Sequence, residues 1–354
     1  MKFCLEHGRR DDLKTLHPAY FSLVMATGIV SIATHLHGIP VFPKVLFWLN
    51  ALFLSGLVAA TGARILRYPR AFAADIQSHG RAVGFFTTVA GTAVFGTELV
   101  SLMDAPEVAA VFWIAAAVLW FVTFYGVLAV LTVKPDKPSL ADGLNGGWLV
   151  SAVAFQSVAM LTVLISAAGV FAGLERLLLF AALILWLGGG ALYLWIITLI
   201  FFRYTFVHMA PADLTPPYWI NMGAMAIAAL VGATLIEQTA LSRDIADIVP
   251  FVKGFTLFYW AIATLWIPML LALGVWRYLI CGVPLAYDPL SWGGVFPLGM
   301  YSVSTYHLAK ILAAPFLLPL SQLFMVIAVL AWAATFAGLV DSRINRLSRA
   351  RSSH

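Results

Sequence analysis

The chain has 354 residues, 62% of them hydrophobic and only 10% charged, with a formal net charge of +5. A water-soluble domain of this length could not stay in solution with that balance, so lipid is the expected solvent. No basic face of the kind nucleic acid requires is present, and no glycine loop that would cradle phosphate.

Residues 1–17 carry Lys2, Arg9, Arg10 and Lys14, with no small-residue cleavage site after an apolar core. They read as a cytoplasmic N-terminal segment that is kept rather than as a cleaved signal. Apolar stretches of about 20 residues, the length that crosses a bilayer as a helix, then recur to residue 340. They are expected at 18–37, 41–63, 82–101, 107–131, 147–168, 174–202, 217–236, 251–280, 290–310 and 316–340. The pattern predicts one all-α membrane domain over 18–340 and a basic cytoplasmic tail over 341–354.

Ten spans place both termini on one side. Sorting the 21 Lys and Arg by loop gives sixteen on that side and five (Lys44, Arg176, Arg243, Lys253 and Lys310) on the other. Positive charge favours the cytoplasm, so both termini are expected there, in a bacterial inner membrane. Cys4 and Cys281 both fall on the reducing side, so neither a disulfide framework nor a metal cluster is implied.

Odd and even spans differ in composition. In twenty-residue windows, Gly, Ser, Thr, Asn and Gln total 30 on the odd spans and 18 on the even ones, whereas nine of the 12 Trp lie on even spans. Large aromatics suit a lipid-facing surface, and small or hydroxylated residues suit close helix contacts or a wet lumen. The expected architecture is therefore five helical hairpins, with odd helices forming an inner pore and even helices an outer ring. The remaining tryptophans, Trp148, Trp219 and Trp292, each begin an odd span, which hints at a hairpin repeat. In the third span Gly84, Thr88, Gly91, Thr92 and Phe95 fall on one helical face that could line a channel.

Three segments carry a family resemblance: Phe21-Ser22-Leu23-Val24-Met25-Ala26-Thr27-Gly28-Ile29-Val30-Ser31, Pro217-Tyr218-Trp219-Ile220-Asn221-Met222-Gly223-Ala224, and Trp292-Gly293-Gly294-Val295-Phe296-Pro297-Leu298-Gly299. Together they resemble the tellurite-resistance/dicarboxylate transporter family, which includes plant slow anion channels and fungal sulfite and malate transporters. The resemblance implies a homotrimer whose subunits each hold a pore of five inner helices, closed near mid-membrane by a phenylalanine at the position of Phe296. The residues fit that implication. Pro297 removes a backbone donor and crowds the carbonyl of Gly293, bending the helix where Gly293 and Gly294 yield easily.

Small anions of the chloride, nitrate, sulfite and dicarboxylate class are the expected cargo. A lining of Thr27, Gly28, Ser31, Thr88, Gly91, Thr92, Gln156, Asn221, Gly223 and Gly294 would offer neutral contacts that hold anions weakly enough for conduction. Ionisable groups at the outer mouth are expected from Glu98, His35, His37, His307 and Lys310, with a Lys310–Glu98 pair if the first, third and ninth spans meet there. The alternative is a proton-coupled C4-dicarboxylate or sulfite/tellurite carrier on the same fold, for which Glu98 or a histidine would have to move protons. No catalytic set, metal site or cofactor is expected, and lipid is the surrounding partner.

Overall fold

A computed structural model describes residues 13–352, with side chains as far as Asn345. Cys4, Lys2, Arg9, Arg10 and most of the expected N-terminal segment lie outside the described residues, as do the side chains of Arg346, Arg349 and Arg351.

Among the described residues ten helices have 15 residues or more: α1 (Ser22–Leu36), α2 (Phe42–Arg67), α3 (Phe86–Met103), α4 (Pro106–Val133), α5 (Val150–Ala167), α6 (Glu175–Phe206), α7 (Ile220–Glu237), α8 (Val249–Val275), α9 (Trp292–Ile311) and α10 (Leu318–Ser352). Most begin at a proline in or just before the first turn, where the missing N–H is no loss: Pro18, Pro43, Pro106, Pro216, Pro289 and Pro315 serve this way. Short helices that the apolar pattern does not reveal, such as Pro69–Ile76 and Arg243–Asp247, fill the connections.

Nine of the ten, taken with their adjoining turns, are long and apolar enough to cross a membrane. The exception is α9, which stands where the ninth span is expected. Its 20 residues include three glycines, Ser302, Ser304, Thr305, His307 and Lys310, which lower its hydropathy. Gly293, Gly299, Ser302, Ser304 and Thr305 are buried, whereas His307 is half-buried and Lys310, near the end of the helix, is exposed.

Burial alternates along the chain. Within their apolar windows α1, α3, α5 and α7 are 83% to 94% buried, against 17% to 44% for α2, α4, α6, α8 and α10. Helix α1 packs against α3 and α9, α3 against α5, α5 against α7, and α7 against α9, so the succession of neighbours returns to its start. Each even-numbered helix lies against the buried helix that precedes it. Glycine makes the closest crossings possible: a Cβ on Gly232 of α7 would collide with Thr256 Oγ1 of α8 and stand 2.8 Å from the Trp186 ring of α6.

The tryptophans depart from the expectation that they face lipid. Trp48 and Trp195 do, at 62% and 69% exposed. Four others turn inward, each donating its indole N–H to the next buried helix along the chain: Trp113 of α4 to Thr162 of α5 at 2.8 Å, Trp186 of α6 to the Ala228 carbonyl of α7 at 2.7 Å, Trp260 of α8 to Thr305 of α9 at 2.9 Å, and Trp332 of α10 to Thr27 of α1 at 3.0 Å. Between α2 and α3 the corresponding bond runs from Asn50 Nδ2 to Glu98 Oε2 at 2.6 Å. An amphipathic ring supplies apolar area and one donor, which suits it to bolting two helices together where no water competes.

Candidate functional site between the buried helices

Two cavities lie among the buried helices, and their linings are in register. The first, about 350 Å³, is lined by Ser22 of α1, Thr87 of α3, Val150 of α5, Ile220 of α7 and Gly293 of α9. The second, about 210 Å³, is lined by Ile29, Val94, Ser157, Ile227 and Met300 of the same five helices. On every helix the second residue follows the first by seven positions. Two turns of α-helix return a side chain to nearly the same face and advance it roughly 10 Å along the axis. The cavities are therefore stacked end to end.

The residues midway on that stripe, three positions after each first-cavity residue, are Met25, Ala90, Val153, Gly223 and Phe296, and all are buried. Phe296 is the largest and is 0% exposed. Ala90 and Gly223 are the small members of that layer and Met25 and Val153 the larger ones, while Pro297 packs on α7: a Cβ on Gly223 would lie 2.7 Å from Pro297 Cγ.

All five buried helices run the same way, because each presents its earlier residue to the first cavity and its later residue to the second. Their N-terminal turns thus gather at the first cavity. His17 accepts the Ala19 N–H on Nδ1 at 3.1 Å, and Asn145 accepts the Gly147 N–H at 2.8 Å. Burial, with the Arg81 charge nearby, pushes the His17 imidazole down to about 4, which keeps it neutral and able to accept. Arg81 itself is tied to Asp75 at 2.6 Å, and Asp75 also pairs with the buried Arg64 at 2.7 Å.

Of the expected lining, Gly223 stands in the midway layer, and the others lie off both cavities. None of Thr27, Gly28, Ser31, Thr88, Gly91, Thr92, Gln156, Asn221, Gly223 or Gly294 lines either cavity. Thr27 receives Trp332, Ser31 donates to the Pro43 carbonyl at 2.8 Å, Gln156 donates to the Trp186 carbonyl at 2.9 Å, and Asn221 donates to the Tyr204 hydroxyl at 3.1 Å. Thr88 and Thr92 bond carbonyls one turn back in α3. In a dry bundle a polar side chain takes the nearest backbone acceptor, so these groups hold outer helices or their own helix. The glycines serve packing: a Cβ on Gly91 would meet the Phe21 carbonyl at 3.2 Å, and one on Gly28 would meet Val94 at 2.6 Å. Gly294 has Pro216 and Trp219 no nearer than 3.9 Å.

Of the expected outer-mouth groups, His35 and His307 line the second cavity. His37 instead bonds Ser321 at 2.9 Å. The Lys310–Glu98 pair does not form, since Lys310 sits over the Tyr306 ring at 4.6 Å and Glu98 is fully buried against Asn50. The partner of His307 is Glu237, 3.1 Å away, at the end of α7, a residue the sequence reading passed over.

Arg203 was also missed, because its place at the end of an apolar span reads as an ordinary boundary charge. It is 6% exposed and lines the first cavity. Nη1 donates to the Leu144 carbonyl at 2.6 Å and to the Tyr218 hydroxyl. Among the described residues, no three His, Cys, Asp or Glu side chains gather where they could hold a metal ion.

These features describe an all-helical, multi-pass membrane protein with two stacked internal cavities. The chain matches the family described as voltage-dependent anion channel (SLAC1) over residues 15–340, and it belongs to that family. It is 35% identical over 164 residues to an uncharacterized membrane protein of Mycobacterium tuberculosis, covering 46% of this chain and 83% of that one. Two uncharacterized transporters of Methanocaldococcus jannaschii are each 26% identical, the first over 84% of this chain and 86% of its own length, the second over 85% and 86%. The family is one of membrane transporters and channels.

Proposed function

We propose that the protein passes small anions passively through a pore running down the axis of α1, α3, α5, α7 and α9, closed here by Phe296. In this reading α9 is a tenth span, shielded from lipid by its neighbours, and the ten helices form five hairpins in a single membrane domain with both termini in the cytoplasm. Each subunit of a homotrimer would hold its own pore, and the protein has no enzymatic role.

The observation that carries the reading is the register of the two cavities, with Phe296 filling the turn between them. An apolar side chain filling a buried and wholly apolar layer excludes water and therefore ions until it moves aside. Helix polarity supports anion entry at the first cavity. Five parallel helices turn their N-terminal ends toward the first cavity, and each such end carries roughly half a positive charge. No residue in the midway layer ionises, which supports passive flow over proton-coupled carriage, since a coupling group would have to change access there.

Planar-bilayer recording under a chloride gradient tests the proposal. A reversal potential that follows the chloride equilibrium is expected. Electroneutral uptake of dicarboxylate driven only by a proton gradient would replace this reading with the carrier.

A further inference from the structure

The guanidinium of Arg203 is spent on one side only. Nη1 makes both of its hydrogen bonds, Nε has no acceptor among the described residues, and Nη2 stands 3.9 Å from Asp213 Oδ2, beyond hydrogen-bond reach. Nε and Nη2 share the edge of the guanidinium whose two parallel N–H groups match a forked oxyanion.

The Asp213 carboxylate reaches only Nη2, from 3.9 Å, and leaves Nε without an acceptor among the described residues, which is costly for a buried donor. Nε itself is closed over, so an oxyanion reaches this edge only where the Asp213 carboxylate gives way, and the surroundings supply the sign. Arg203 lines a cavity of about 350 Å³ at which the buried helices' N-terminal turns converge, and the neutral His17 on the same wall brings no competing charge. The carboxylates on that wall, Asp142 and Asp213, lie at its rim: Asp142 is bonded to Ser139 at 2.6 Å, and Asp213 accepts the Ala210 N–H at 3.0 Å.

We infer that the Nε/Nη2 edge of Arg203 is a docking site for planar oxyanions of the nitrate or carboxylate kind, which enter by displacing the Asp213 carboxylate. The inference rests on the anion reading above and adds to it a preference for forked oxyanions over spherical halides at one mouth.

The test is thermal unfolding of the purified full chain while nitrate replaces chloride at fixed ionic strength, reading the nitrate concentration at half-maximal protection. Arg203→Lys keeps the charge but loses the fork, and should raise that midpoint roughly tenfold or more. Asp213→Asn removes the competing carboxylate from a half-exposed rim and should lower the midpoint up to about fivefold, a direction that lost folding cannot mimic. Unchanged midpoints in both variants overturn the site. Anion currents from the wild type alongside unchanged midpoints would sink the site and keep the pore. Midpoints that move as expected in a protein passing no anion would keep the site and sink the pore.

Discussion

Replacing Phe296 by alanine tests the central geometry. The ring fills the middle turn of a stripe whose ends line cavities of about 350 and 210 Å³. Truncating a fully buried phenylalanine costs about 3–5 kcal/mol when the void stays empty. Here the void would join two cavities lined in part by polar groups, so water can enter and the loss should fall near the lower figure. In the proposed pore the same truncation removes the dewetted layer from the ion's path. If that layer adds about 3 kcal/mol to the barrier, its removal speeds passage roughly a hundredfold, at a factor of ten for each 1.4 kcal/mol. Phe296→Leu, which keeps part of the apolar bulk, should fall between. Wild type and variants would be compared as chloride currents across planar bilayers, with melting temperatures measured on the same preparations. A Phe296→Ala protein that melts earlier yet passes no more chloride than wild type refutes the reasoning, because Phe296 would then be packing alone.

Gly223→Ala should lower the melting temperature by an amount equivalent to about 1–3 kcal/mol, since its Cβ would meet Pro297 Cγ at 2.7 Å and Cα at 3.1 Å. Gly294→Ala, with no foreign atom nearer than 3.9 Å, should escape that clash, and equal losses in the two would discredit the packing argument. Asp75→Asn strands the buried Arg64 guanidinium, now 2.7 Å from its carboxylate, and should cost about 3–5 kcal/mol in a denaturation series. His17 is held down to about 4, below its unfolded value of 6.5, so the unfolded chain binds the proton first as pH falls. Its contribution, up to about 3 kcal/mol, is complete above pH 6.5 and is lost between there and pH 4. His17→Asn preserves a cap acceptor and should flatten the melting profile over that window.

The ring of buried helices was legible because close packing demands small residues: the glycines and hydroxyls of the odd spans announce which helices touch most neighbours. Helix α9 is the instructive case. The apolar pattern places a span at 290–310, supported by the Trp292-to-Gly299 motif and the alternation of loop charges, although its hydropathy falls below that of the other nine. What composition could not supply is rotation about each helix axis. Thr27, Ser31, Gln156 and Asn221 have the chemistry of a wet wall, yet each found a hydrogen-bond partner on an outer helix, and that choice depends on contacts between distant segments. The same gap hid Arg203, whose importance comes from Leu144 and Tyr218 pinning one side of it. Tryptophan misled in a related way, since abundance on the outer helices says nothing about whether the indole N–H points to headgroups or to Thr305.

The bond from Trp332 to Thr27 has a consequence for how the bundle is girdled. It ties α10 to α1, residues 305 positions apart in the sequence, so the belt of side-chain bonds between outer and buried helices returns to its start instead of leaving an open edge. Helix α9, whose hydropathy is too low to mark a span, is held between α1 and α7 and backed by α10. Loosening any one of those bolts should therefore be felt by helices far from it in the sequence.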